Sequence, residues 1–281
     1  MIIFRDKNST SQYISSLQQA GKTVGFVPTM GALHEGHISL IEAARHQSDA
    51  AVSSIFVNPT QFNDPKDFEK YPITLEKDID MLEKAGCDAL FLPSVNEMYP
   101  EGLSGNKHYE LGYLETVLDG AHRPGHFQGV CRVVEKLLVI THPDKLFLGQ
   151  KDYQQCMVLK KLVEIMKSKT EIVVCPTQRE PDGLAMSSRN MRLGETERKK
   201  APLIYQSLQF IKQHIRAGDI TGLKKQAFEK LAAENFKVDY IEIAEASTLS
   251  LITNWDGKTP LVALAAAFNG ETRLIDNLLL Q

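Results

Sequence analysis

Thr23-Val24-Gly25-Phe26-Val27-Pro28-Thr29-Met30-Gly31-Ala32-Leu33-His34-Glu35-Gly36-His37 is the stretch whose reading decides the fold. Residues 23–28 read as a buried strand that Pro28 ends. A glycine turn follows. Helical spacing then starts near Leu33 and continues through residues 38–46. Gly31 lets the backbone pass close to a ligand. The helix start would offer N–H groups and a positive dipole end to an anion. His34 and His37, three apart, would share a helix face and could meet phosphate oxygens. Gly36 removes a side chain where a ribose or adenine could lie. The same residues fit a polar surface loop carrying two histidines. Zinc is disfavoured, because the helical metalloprotease motif spaces its histidines by four.

Outward from this stretch, short apolar runs alternate with amphipathic ones. Residues 51–57, 89–92, 145–148 and 171–175 read as strands. Residues 75–85, 127–140 and 153–166 have helical spacing. This β-α-β-α order predicts an α/β fold with a doubly wound, parallel, Rossmann-like sheet over residues 1–177. The pattern changes near residue 178. Helices near 195–217 and 221–235 precede strand-like runs at 239–244, 261–268 and 272–278. The last two flank Asn269-Gly270, a hairpin signal. Residues 178–281 are therefore expected to form a smaller C-terminal α+β lid domain. No internal repeat or low-complexity stretch interrupts the pattern.

The bulk numbers narrow the function. The 281 residues carry a formal net charge of −3, with 43% hydrophobic and 24% charged residues. That balance disfavours a protein that coats nucleic acid, which needs a basic surplus. No apolar signal core forms at the N-terminus, and no apolar run is long enough to cross a bilayer. Cys87, Cys131, Cys156 and Cys175 are scattered, as in buried thiols of a cytoplasmic protein. Asn8-Ser9-Thr10 matches a glycosylation sequon, which without a secretory signal reads as chance.

Three more segments carry candidate chemistry. In Phe56-Val57-Asn58-Pro59-Thr60-Gln61-Phe62, at the carboxyl end of a strand, Gln61 can donate and accept hydrogen bonds to a hydroxylated substrate. In Gly149-Gln150-Lys151-Asp152-Tyr153-Gln154-Gln155, the glycine permits close approach and Lys151 supplies a cation for phosphate. Asp152 could cap the next helix or accept from a ribose hydroxyl. In Asp182-Gly183-Leu184-Ala185-Met186-Ser187-Ser188-Arg189-Asn190, two hydroxyls and a guanidinium make a dense donor set. Each alone also reads as an ordinary loop or helix cap. Together they suggest convergence on one ligand cleft.

In this order, VPTMGALHEGH, FVNPTQF, HRPGHFQGV, GQKDYQQ and DGLAMSSRN resemble the pantothenate synthetase (pantoate–β-alanine ligase) family. His34-Glu35-Gly36-His37 resembles the HIGH signature of the nucleotidyltransferase superfamily, and Met186-Ser187-Ser188-Arg189 its KMSKS-like signature. The resemblance implies that pantoate and ATP give a pantoyl adenylate, which β-alanine converts to pantothenate and AMP. It implies an ATP loop of Met30, Gly31, Ala32, Leu33, His34, Glu35, Gly36 and His37, with His37 in the proton donor's place. It implies a second ATP segment of Gly149, Gln150, Lys151 and Asp152, with Lys151 neutralising transition-state charge. Met186, Ser187, Ser188 and Arg189 would close over the phosphates. Gln61 and Gln155 match the pantoate-binding glutamines, Gln61 also facing β-alanine. Asn58, Tyr71, Arg123 and His126 fall in the surrounding pocket. Gln178 stands where a backbone contact to adenine is implied. Magnesium is implied as the counter-ion of ATP. Where the family can carry an acidic pair, this chain has Lys77-Asp78, leaving Asp78 as the candidate metal ligand. A homodimer is also implied. Residues 63–70, rich in Asp, Lys and Pro, would form a mobile cover that excludes water. Another adenylyl- or cytidylyltransferase would leave Gln61 and Gln155 without a role. A nucleotide sensor would not need Lys151, His37 and Arg189 together, and an RNA-ligand role would call for a basic surface.

Overall fold

A computed structural model describes residues 1–62, 68–103 and 107–280. Residues 63–67, most of the expected mobile cover, lie outside the described residues. The chain packs into two units. The first comprises residues 1–149 and 155–176; the second comprises residues 150–154 and 177–281.

The first unit is built on a six-stranded sheet in the order β1-β4-β3-β2-β5-β6. Its strands are β1 (Ile2–Phe4), β2 (Val24–Thr29), β3 (Ala50–Ile55), β4 (Ala89–Phe91), β5 (Lys145–Gly149) and β6 (Glu171–Cys175). Every pairing is parallel. Parallel strands are covered on both faces, so β2 and β3 are buried almost throughout, as near-continuous apolar runs should be. Alternation sorts their side chains onto two cores. On one face Phe26, Val52, Phe91, Leu146 and Leu148 cluster with Ile14, Val130, Val134, Leu138, Leu159 and Leu162. Those partners belong to α1 (Lys7–Gln19), α6 (His126–Thr141) and α7 (Tyr153–Ile165). On the other face Val27, Ala51, Ile55, Leu90 and Phe147 cluster with Leu40, Ile41, Ala44 and Leu82. These come from α2 (Glu35–Gln47) and α3 (Leu75–Lys84). The doubly wound sheet expected from the sequence is thus present. Sequence reading did not resolve β1 or α1, because a three-residue edge strand and a mostly polar helix carry little periodic signal. The strand order reverses between β2 and β5, the kind of switch point where open α/β sheets place ligands. Two short helices, α4 (Val95–Met98) and α5 (Leu118–His122), complete this unit.

The second unit holds α8 (Glu195–Lys200), α9 (Leu203–His214), α10 (Thr221–Ala233) and an antiparallel sheet ordered β11-β10-β8. Its strands are β8 (Lys237–Glu245), β10 (Leu261–Asn269) and β11 (Thr272–Leu279), with a small β7–β9 pair of Gly218–Asp219 and Asn254–Trp255 beside them. Leu208, Ile211, Ala227 and Leu231 pack with Ile241, Ile243, Ala263 and Ala265 to make its core. One expected helix, 195–217, is two helices. Pro202 caps the second, and its missing N–H cannot continue the first. The expected hairpin forms one residue later than the Asn-Gly signal. Asn269 pairs with Thr272, so Gly270 and Glu271 make the turn, with Gly270 at φ +59°.

All four cysteines are buried, and no disulfide links them among the described residues. Burial pushes the Cys87 and Cys131 thiols up to about 12, so neither is a thiolate at neutral pH. Among the described residues no helix is long and apolar enough to cross a membrane.

Gly25 marks how closely α2 lies on the sheet. A Cβ there would come 2.8 Å from Ser48 Oγ and 2.9 Å from Phe147 Cε2. Gly25→Ala is expected to destabilise the fold by about 1–3 kcal/mol, the usual cost of overpacking, read as a lower midpoint in urea unfolding.

Candidate active site

The loop after β2 is fastened from beneath by a buried carboxylate. Asp78, on the first turn of α3, is 1% exposed. Its Oδ2 accepts from the Ala32 N–H at 2.8 Å, and its Oδ1 accepts from the Leu33 N–H at 2.8 Å and the Thr74 hydroxyl at 2.9 Å. These bonds hold Ala32 at φ +51°, a left-handed conformation that costs a residue with a side chain about 1–2 kcal/mol. Gly31 beside it sits at φ +81°, where a Cβ would lie 3.1 Å from the same carboxylate. Asp78 was expected as a metal ligand; here it supports the loop. Both its oxygens serve the loop backbone, inside the protein. Among the described residues no group of three or more His, Cys, Asp or Glu could hold a metal ion.

With the loop fixed, α2 starts at Glu35, and His34 is its N-cap, not a residue on its face. His34 Nδ1 accepts from the Gly36 N–H at 3.2 Å, and His37 Nδ1 accepts from the His34 N–H at 3.3 Å. This is a capping box built from two imidazoles. Their ring centroids lie 4.1 Å apart. Acceptance at both Nδ1 atoms places the proton of each neutral ring on Nε2, the tautomer that can donate to an anion.

The loop after β3 meets this one through Gln61, whose Nε2 lies 2.9 Å from the Met30 sulfur. Gln61 ends a 3-10 turn, Pro59–Gln61, packed against α6. Asn58, 1% exposed, organises the turn. Its Nδ2 donates to Gln61 Oε1 and to the Gly129 carbonyl, while its Oδ1 accepts from the Tyr99 hydroxyl at 2.8 Å. His126 Nδ1 donates to the Gln61 carbonyl at 2.8 Å, which leaves Nε2 to accept from Arg123 Nη1 at 3.0 Å. Asn58, Arg123 and His126 therefore set where Gln61 stands. Tyr71 is buried. Sequence reading gave Gly129 no role. A Cβ on it would lie 2.2 Å from the Thr60 carbonyl oxygen, so only glycine lets the turn rest on the helix. Gly149 ends β5, and Gln155 is half-buried on the first turn of α7.

The remaining candidates belong to the second unit. Sequence reading placed 150–154 in the nucleotide domain; by packing they go with the C-terminal unit. Gln150–Asp152 forms a 3-10 turn. The Lys151 ammonium lies 3.8 Å from Asp152 Oδ2. Gln178 accepts from the Met186 N–H at 3.0 Å, and the neighbouring Arg179 and Ala185 pair as a bridge. Ser187 caps a 3-10 turn, Ser188–Arg192, by accepting from the Arg189 N–H at 3.3 Å. Ser188 is buried, and Met186 and Arg189 are half-buried. Arg179 makes a two-pronged ion pair with buried Asp276, at 2.6 and 2.9 Å, and its guanidinium lies 3.7 Å from the Tyr205 ring centre. Burial pushes the Asp276 carboxyl up from its ordinary value, against the opposing pull of Arg179 and, less strongly, Lys151.

A histidine-capped helix start at the switch point of a doubly wound sheet puts the chain among the α/β proteins that seat an anionic ligand at the carboxyl ends of parallel strands. A family model described as pantoate–β-alanine ligase matches residues 2–279. The pantothenate synthetase of Cytophaga hutchinsonii is 46% identical over 271 residues, 95% of each chain. That of Porphyromonas gingivalis is 44% identical over 279 residues, 99% of each chain. The crystal structure of pantothenate synthetase from Thermus thermophilus matches with a TM-score of 0.91 and 39% identity, over 100% of this chain and 99% of that one. A Francisella tularensis pantoate–β-alanine ligase, solved in complex with β,γ-ATP and β-alanine, matches with a TM-score of 0.83 and 41% identity, over 100% and 98%. The chain belongs to the pantoate–β-alanine ligase family.

Two substitutions test the geometry of the first unit by chemical denaturation. Asp78→Ala strands two buried N–H groups, each worth about 1–3 kcal/mol, and is expected to cost about 3 kcal/mol. Gly129→Ala forces the Gln61 turn off α6 and is expected to cost about 2 kcal/mol or more.

Proposed function

We propose that this chain joins pantoate to β-alanine at the expense of ATP, yielding pantothenate, AMP and pyrophosphate. The family match along residues 2–279 carries the reading. The Francisella relative, crystallised with an ATP analogue and β-alanine, supports two of the substrates.

On this reading a pantoate carboxylate oxygen bonds the α-phosphorus of ATP. The bond to the β-phosphate oxygen breaks, and pyrophosphate leaves. The β-alanine amine then bonds the acyl carbon, the bond to the AMP oxygen breaks, and the amine gives up a proton. Adenylation piles negative charge on phosphate oxygens, and donors fixed in advance are the effective answer to that. His34 and His37 serve there through Nε2, with the α2 dipole behind them. Lys151, Ser187, Ser188 and Arg189 supply further cationic and hydroxyl contacts. Met30 to Leu33, Glu35, Gly36, Gly149, Gln150, Asp152, Gln178 and Met186 frame the nucleotide. Gln61 and Gln155 hold pantoate, each able to donate and accept at once. Magnesium enters as the counter-ion of the ATP substrate. A homodimer and a cytoplasmic location follow from the family reading alone.

Labelled pyrophosphate should exchange into ATP when pantoate is present, and not with other carboxylic acids or phosphate monoesters. Exchange with a different acid and none with pantoate would overturn the reading. Lys151→Ala should slow adenylation several hundredfold, on the order of one strong transition-state contact, and weaken ATP binding much less. Single-turnover rates set against ATP titrations separate the two effects, and equal losses in both would remove Lys151 from that role.

A further inference from the structure

We infer that Asn277 is a positioning residue for the adenylation step: from strand β11 it fixes the backbone on which Lys151 stands. The inference rests on the proposed role of Lys151. Asn277 is 2% exposed. Its side-chain amide donates one hydrogen to the Gln150 carbonyl and the other to the Lys151 carbonyl, both at 2.8 Å. Its oxygen accepts from Gln150 Nε2 at 3.1 Å. Both amide hydrogens and the acceptor are thus spent on two consecutive residues. Two successive peptide planes are fixed in orientation, and the Lys151 side chain is left with only its own rotamers to settle.

The clamp is itself held in place. Asp276, the preceding residue, takes the two-pronged ion pair from Arg179, and the Asn277 backbone carbonyl accepts from the same guanidinium at 3.3 Å. Arg179 Nη1 also donates to the Gly183 carbonyl at 3.0 Å. Arg179 follows Gln178, whose carbonyl accepts from Met186. One strand position therefore anchors Gln150-Lys151 directly and the turn before Met186-Ser187-Ser188-Arg189 through Arg179. Asparagine suits this place because a carboxylate could not donate to carbonyls, and an apolar residue would leave the Gln150 and Lys151 carbonyls without this donor.

The test compares single-turnover pantoyl-adenylate formation in wild type, Asn277→Ala, Asn277→Ser, Lys151→Ala and the double variant Lys151→Ala/Asn277→Ala. Asn277→Ala should slow the step about a hundredfold, the usual cost of a ~1 Å misplacement, with little change in the KM for pantoate. Asn277→Ser keeps one donor and should fall between. The double variant should lose far less than the product of the two single losses, because most of what Asn277 does passes through Lys151. A wild-type rate in Asn277→Ala overturns the inference, as do losses that multiply in the double variant. If Asn277→Ala does not fold, Asn277→Ser carries the comparison; if neither folds, Asn277 is a folding residue and the inference is wrong. Absence of pantoate-dependent exchange in the wild type would instead sink the reading of function itself.

Discussion

A carboxylate buried under the first loop is the constraint on which the carboxyl end of the sheet depends. Asp78 receives the Ala32 and Leu33 N–H groups where water cannot. Without it the turn would have no reason to hold Ala32 left-handed. The consequences run along the chain. A fixed turn places His34 at the helix cap, the cap fixes His37, and the two rings settle with Nδ1 inward. The same turn sets Met30, against which the Gln61 amide rests. Charge, strain and hydrogen bonding at this site are one arrangement.

The second unit solves a similar problem with opposite polarity. Asp78 offers oxygen to backbone donors, whereas Asn277 offers N–H to backbone carbonyls. In both places a side chain remote in sequence and nearly dry holds a short irregular segment that carries the candidate chemistry. Backbone in such segments has no ladder to satisfy it, so its polar groups must be met one by one. Strands and helices bring the remote residue to hand, and the loop conformation follows.

Much of this was legible in the sequence, for definite reasons. Buried parallel strands are short apolar runs, and β2, β3, β5 and β6 stood out as such. The motif segments were visible because glycine, histidine, lysine and glutamine at strand ends have few structural uses. What stayed hidden were the supports. Nothing local distinguishes Asp78 from any acidic residue in a first helical turn, and only the family resemblance gave it a role, as a candidate metal ligand. Gly129 lies in a helix, where its need for contact with Thr60 is a tertiary fact. Residues 150 and 151 are tied to Asn277, and no periodicity joins positions so far apart. Pro202 was in plain view, but the apolar spacing on either side of it suggested one helix where there are two.

The distance along the chain between Lys151 and its support bears on how the protein is made. The two lie 126 residues apart, so during synthesis the lysine leaves the ribosome long before the amide that will hold it. The first unit lies wholly before residue 177, whereas the turn at 150–152 is held by β11. Loop closure over such a span is slow compared with local helix formation. A product broken off between residues 190 and 272 would contain every motif residue named here and lack the strand that holds the turn at 150–152. The turn at 150–152 is therefore held only once β11 is in place.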